Sequence, residues 1–265
     1  MRLKNLAIQT KIVLLVGIIL AGIVYKHVWS RQYTDWGKVH EQEVIEDNLL
    51  LQRDLQAIVR DLEGIVSLFN SSDFVSRNGF KAYVRPILEK QKFVKAFKWV
   101  PLISDKNRES YEKKMRQEGF PGFQIVQHYS KSGEIIPALK NKIYYPVHYV
   151  EPGVSNEEVL GFDIGSDPEL LKILNESKET GEPTAMERID LVSNSRKNSY
   201  LYIVVPYYKG GKFPADLHDR AEKLKGFALG KYGIKEMIKE MVKDYLPKGL
   251  NLLVYVDEEK NENRL

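Results

Sequence analysis

Lys92-Phe-Val-Lys-Ala-Phe-Lys-Trp-Val-Pro-Leu-Ile103 marks the point at which the chain changes its period. Before it, apolar residues recur every three or four positions. From Phe93 onward they come in short runs rich in Val, Ile, Tyr and Phe, bounded by Pro, Gly and Asn. The first spacing suits a helix and the second composition suits half-buried strands. The expected strands are Phe93–Val100, Phe123–Tyr129, Ile143–Tyr149, Ala185–Leu191, Tyr200–Tyr207, Leu224–Gly230 and Leu250–Val256. Helices are expected between them at Asn107–Gln117, where Tyr111 and Met115 share a face, and at Ile234–Tyr245, closed by Pro247. Another opens at Ser166-Asp167-Pro168-Glu169, which offers a capping side chain, a first-turn proline and a glutamate to return the cap. It runs to Glu179, with Gly181 where a helix stop belongs. This order makes an α+β fold of mixed antiparallel sheets with flanking helices. Two successive small sheets are expected, one over residues 92–208 and another starting near 224.

Upstream of Lys92, the segment Ser30–Phe69 has no proline and reads as a long stalk helix. Leu55, Ile58, Val59, Leu62, Ile65, Val66 and Phe69 form one stripe along it, with Arg53, Asp54, Arg60, Asp61 and Glu63 on the other faces. The stripe can pack on the domain's own sheet or pair with a second copy as a coiled-coil-like dimer. Asn70-Ser71-Ser72-Asp73 ends this helix, and a second is expected at Arg77–Gln91, with Pro86 as a kink or early-turn residue.

At the N-terminus, Ile12–Tyr25 is an unbroken apolar run preceded by Lys4 and Lys11 and flanked by Tyr25 and Trp29, residues suited to a membrane interface. Its length lies between that of a spanning helix and a signal-peptide core. No small-residue cleavage site follows it, which favours an uncleaved transmembrane signal-anchor over a cleaved signal. Arg2, Lys4, Lys11 and Lys26 account for the whole formal net charge of +4, so the rest of the chain is balanced. The positive flank predicts a cytoplasmic N-terminus, a single pass through the cell membrane and an extracytoplasmic body, periplasmic or extracellular. A balanced body gives no nucleic-acid surface.

With 0 Cys, thiol chemistry and disulfides are excluded. The 5 histidines (His27, His40, His128, His148 and His218) show no metal-ligand spacing, so neither a metal nor a cofactor is expected. Gly210-Gly211 reads as a solvated turn, and no nucleophile elbow is present. No catalytic residue is assigned and no enzyme is expected. Tyr144, His148, Tyr200, Tyr202 and Tyr207 fall on expected strands, and alternation turns some of them to one face, where aromatic and polar groups can line a small-molecule pocket.

The order of motifs resembles the CHASE domain, the extracytoplasmic sensory module of transmembrane histidine kinases and nucleotide cyclases. The resemblance is carried by Phe97-Lys-Trp99-Val-Pro101, Asn107-Arg108-Glu-Ser-Tyr111-Glu112, Gly119-Phe-Pro-Gly-Phe123, Tyr145-Pro146-Val147-His-Tyr149, Leu160-Gly161-Phe162-Asp163-Ile164, Val205-Pro206-Tyr207-Tyr208 and Gly226-Phe-Ala-Leu-Gly230. It implies a long helix followed by tandem PAS-like sheets, the membrane-distal one holding the ligand. Residues 1–29 are then the cytoplasmic tip and anchor, and 30–91 the stalk helix and its successor. Residues 92–208 become the distal ligand-binding subdomain, and 209–265 the start of an incomplete membrane-proximal one.

The resemblance also implies an adenine-like ligand held by an aspartate, which aligns with Asp163. Asp163 can alternatively cap the following turn or bind backbone N–H groups. Thr180 matches a pocket threonine of the family, and Thr184-Ala185-Met186 lies where the family runs a pocket-lining strand, without reproducing its residues closely. With Tyr145 and Tyr202, the expected ligand-binding set is Asp163, Thr180, Ala185, Tyr145 and Tyr202. The implied partners are a small ligand, the membrane, a second copy through the stalk, and a histidine kinase or cyclase output in the same chain or another. A membrane-anchored dimerisation or protein-docking module without a small ligand is the alternative.

Overall fold

A computed structural model of the chain describes residues 52–128, 134–153, 159–192, 196–211 and 213–243. The chain divides into two compact units, 1–53 and 54–265, and the second is described here. The apolar run Ile12–Tyr25, most of the expected stalk and the strand Leu250–Val256 lie outside the described residues. Among those described, no helix is long and apolar enough to cross a membrane.

Helix α1 covers residues 52–70. It buries Ile58, Leu62 and Ile65 from the expected stripe, while Leu55 stays exposed. Over this stretch the stripe packs inward, on the chain's own domain. Helix α2, Arg77–Lys90, starts where Ser76 Oγ accepts the Gly79 N–H at 3.1 Å, and it buries Phe80 and Val84. Pro86 sits inside it.

The centre is a five-stranded antiparallel sheet in the order β6-β1-β9-β8-β7. Its strands are β1 (Val94–Pro101), β6 (Tyr149–Glu151), β7 (Thr184–Val192), β8 (Arg196–Tyr208) and β9 (Leu224–Gly233). Two small ladders flank it: β2 (Ile103–Ser104) with β5 (Ile143–Tyr144), and β3 (Val126–His128) with β4 (Ile135–Pro137). Helix α3 is Asp105–Gln117, α4 is Pro168–Thr180, α5 is Leu217–Lys223 and α6 is Ile234–Val242.

The residues 224–230, expected to open a second sheet, instead form the middle of this one, hydrogen-bonded to β1 on one side and β8 on the other. A strand's own pattern announces a strand and not its neighbours. The β1–β9 pairing joins segments far apart in sequence, and nothing local encodes it. The expected strand Ile143–Tyr149 is likewise split between β5 and β6.

Alternation along the strands divides the sheet into two faces. One carries Ala96, Val100, Val150, Tyr202, Val204, Phe227 and Leu229, closed by Leu170, Ile173 and Leu174 of α4 and by Tyr145, Val147 and Ile164. The opposite face carries Phe97, Trp99, Tyr149, Tyr207 and Tyr232. There Phe69 at the end of α1 stacks on Trp99 with ring centroids 3.6 Å apart and planes at 9°.

Candidate functional site

Asp163 is 2% exposed, directly before a single 3-10 turn, Ile164–Ser166. Its Oδ1 accepts the backbone N–H of Tyr145 at 2.7 Å and of Gly165 at 3.1 Å. The carboxylate thus joins the β5–β6 segment to the turn leading into α4. Burial pushes its pKa up, opposed by the two N–H bonds and by the charge of Arg108. Gly161, two residues earlier, has φ of 80°, and a Cβ there would lie 2.5 Å from the Gln124 carbonyl oxygen. Only glycine fits that approach. It lets the chain deliver Phe162 beside β3, through the Val126–Phe162 bridge, and Asp163 beside Pro146.

Tyr145 packs in the same core as Ile164, its ring edge-on to Phe227 with centroids 5.9 Å apart. Burial, and then the Asp163 carboxylate, push its phenol up to about 12, so it stays a neutral donor. Tyr202 on β8 is also buried in this core, opposite Met186 on β7 and Lys231 on β9. The structure therefore brings Tyr145 and Tyr202 into one cluster and sets Asp163 against Tyr145. Thr180 lies exposed at the end of α4, where its hydroxyl donates to Glu176 O at 2.9 Å and accepts the Glu182 N–H at 3.2 Å. Ala185 is exposed on the sheet face opposite Tyr202.

Alternation assigns the other strand aromatics in the same way. Tyr200 joins Tyr202, whereas Tyr207 sits on the α1 side, its ring centroid 5.7 Å from that of Trp99. Tyr144 belongs to a separate small core with Ile125 and Ala138. There Arg108 donates to the Ala138 and Ile125 carbonyls and pairs with Glu112 at 2.9 Å, fastening α3 to the small ladders. His148 bonds through Nδ1 to the Tyr111 hydroxyl at 2.9 Å.

The α4-side face ends in a half-buried polar and aromatic patch. Lys98, 8% exposed, shares this face with Ala96 and Val100. The Lys231 ammonium lies 3.8 Å from the Tyr200 ring centroid and 5.5 Å from that of Tyr202. Arg188, opposite Tyr200, pairs with Asp167 at the start of α4. Neither lysine was singled out from sequence. Lys98 carried a signal, a charge at the alternate position of an apolar strand. Lys231 carried none, because its place follows from the β8–β9 register. Among the described residues, no group of His, Asp or Glu side chains could hold a metal ion.

The CHASE domain family matches residues 73–265 of the chain. Two proteins of Dictyostelium discoideum are among those similar to it. The hybrid signal transduction histidine kinase A is 28% identical over 189 residues, which cover 68% of this chain and 8% of that protein. The germination-specific adenylate cyclase is 23% identical over 156 residues, covering 59% of this chain and 18% of that protein. The chain thus spans less than a fifth of the length of either relative.

Proposed function

The chain belongs to the CHASE domain family, and on that premise we propose that it is the ligand-binding sensor of a membrane receptor, reading a small molecule on the α4-side face of its sheet. The observation that carries this reading is the patch on that face. Tyr202, Tyr200, Met186, Lys98, Lys231 and Arg188 bring aromatic rings and hydrogen-bond donors to the edge of an apolar core, the mixture that small-molecule sites use. Asp163 and Tyr145 act beneath it, holding the turn that aims α4. Thr180 and Ala185 stand outside it. In this reading the ligand-binding sheet extends from residue 92 through β9 rather than ending at 208.

The apolar run Ile12–Tyr25 is the anchor in this reading, with the body outside the cell and the segment Ser30–Phe69 as the stalk. Leu55, exposed at the start of the described stripe, supports pairing of two copies along that stalk. The relatives are a histidine kinase and an adenylate cyclase, so the output is of one of those types and catalysis belongs to the output rather than to this domain.

Thermal unfolding of the full chain in lipid nanodiscs against a metabolite panel tests the reading. The expected result is a stabilising compound whose effect disappears in Tyr202→Ala and survives in Thr180→Ala. A folded chain that responds to nothing in the panel would overturn it in favour of a dimerisation or docking module.

A further inference from the structure

On the side of the sheet away from α4, a cleft of about 600 Å³ lies between α2 and the end of the edge strand β6. Its charged lining is Arg77, Lys81, Arg85 and Glu89 from α2, Lys92 just before β1, and Glu151 at the end of β6. Its volume is that of a small-molecule site, and Leu88, Val94 and Pro152 are its few apolar contacts. Glu151 is the buried member of the set, 7% exposed. It stands opposite Phe97 in the β1–β6 register, which turns it to the α1 side. Its Oε2 accepts the Gly153 N–H at 3.3 Å, and among the described residues that long bond is the one hydrogen bond it makes. Four cations share the cleft with this carboxylate, yet among the described residues none of them pairs with it. So buried an anion is costly unless its acceptor sites are met.

The cations are placed against the interest of the helix that carries them. Arg77, Lys81 and Arg85 stand four residues apart on one face of α2, and like charges at that spacing repel. Arg77 is also the first residue of α2, where the helix dipole disfavours a cation. Glu89 offsets Arg85 at 2.7 Å, and the Arg77 guanidinium lies 4.8 Å from the Phe120 ring centroid. Among the described residues, neither Lys81 nor Lys92 forms an ion pair. Helix stability does not call for this arrangement. A carboxylate in the cleft relieves the repulsion, and an ammonium on the same molecule gives Glu151 the donors it lacks. A plain anion would face Glu151, and a plain cation would face the lysines. With four basic groups against two acidic ones, the complementary molecule is negative on balance. From Arg77 to Arg85 the face runs about 12 Å, room for an acidic amino acid or a dipeptide.

We propose that this cleft is a second ligand site, for an amino-carboxylate of net negative charge, with Glu151 receiving the ammonium and Arg77, Lys81 and Lys92 the carboxylates. It lies on the opposite face of the sheet from the α4-side patch and does not depend on it. The probes are L-glutamate and the dipeptide glutamyl-glutamate, which separate a free amino acid from a peptide source. N-acetyl-L-glutamate removes the ammonium and putrescine removes the carboxylates. Each is added at millimolar concentration to the full chain in nanodiscs, with sodium chloride matching ionic strength. At least one of the first two is expected to raise the unfolding midpoint by about 3–5 °C, and the other probes and salt to leave it unchanged. Lys81 and Lys92 are exposed, so the Lys81→Met/Lys92→Met double variant should unfold cooperatively and lose the shift. Glu151→Gln keeps an acceptor for the Gly153 N–H and should also lose it, while Tyr202→Ala should retain it. Three results overturn the assignment: no shift with either amino-bearing probe, an equal shift with N-acetyl-L-glutamate, or a shift that persists in the double lysine variant. A shift lost in Tyr202→Ala but kept in Glu151→Gln places the binding on the α4-side face and overturns it as well.

Discussion

At the scale of single residues, Asp163 and His148 are polar groups bonded to partners within the protein itself. Asp163 spends one carboxylate oxygen on two backbone N–H groups. Asparagine keeps an acceptor at that position and alanine does not. Asp163→Asn should therefore cost no more than about 1 kcal/mol, while Asp163→Ala leaves one buried and one half-buried donor unmatched and should cost roughly 2–4 kcal/mol. Urea unfolding of the two variants measures the difference. Equal stabilities would remove the positioning role. His148 lies among Tyr111, Tyr149 and Lys114, and burial first, then the Lys114 charge, lower its pKa from 6.5 to about 4. A basic group with a depressed folded-state pKa makes the unfolded chain the better proton acceptor. Its contribution is whole above pH 6.5 and is lost as pH falls toward about 4. The loss should reach about 3 kcal/mol, read from urea midpoints across that range, and His148→Gln should flatten the profile.

At the scale of elements, what was legible in the sequence was what local chemistry settles. Asp167 caps α4 by accepting the Glu169 and Leu170 N–H groups, Pro168 follows it, and Gly181 ends the helix with φ of 77°. All three were readable because a cap needs only its own few residues. The stripe Ile58, Leu62, Ile65 was readable for the same reason, since a helix face is periodic. The 3-10 turn at Ile164–Ser166 and helix α5 are too short to leave a period, and the strands β2 and β5, of two residues each, are too short to show an alternation. Strand partners were the larger gap. Leu224–Gly233 reads as a strand in any context, but its seat between β1 and β8 depends on chain closure across the whole domain. The candidate site inherits that gap. Asp163 was named from a motif and Tyr202 from strand alternation, whereas Ala185 was placed by adjacency in sequence and falls on the face of the sheet opposite that of Tyr202. One residue of register exchanges the faces.

At the scale of the whole domain, β1 is the element through which a bound ligand could act. Lys98 and Trp99 are consecutive and so leave the strand on opposite faces, one toward the candidate site and one toward α1. Trp99 stacks on Phe69, and the Tyr207 hydroxyl donates to the Phe69 carbonyl at 3.3 Å, so the end of α1 is tied to β1 and β8 together. A close-packed interior transmits such a displacement instead of absorbing it. A ligand on the α4-side face would load β1, and Phe69 at the end of α1 rests on the other face of that strand. Trp99→Leu removes the stacked pair at a cost of about 1–3 kcal/mol but leaves the α4-side patch in place. The variant should keep the ligand-dependent rise in unfolding midpoint. Hydrogen exchange across residues 58–69 should separate it from the parent chain. Ligand should slow exchange about fivefold or more in the parent, the size of a modest coupling energy, and leave it unchanged in Trp99→Leu. Equal slowing in both would place the coupling elsewhere. The α4 layer, which touches β7 and β8, would then be the path to examine.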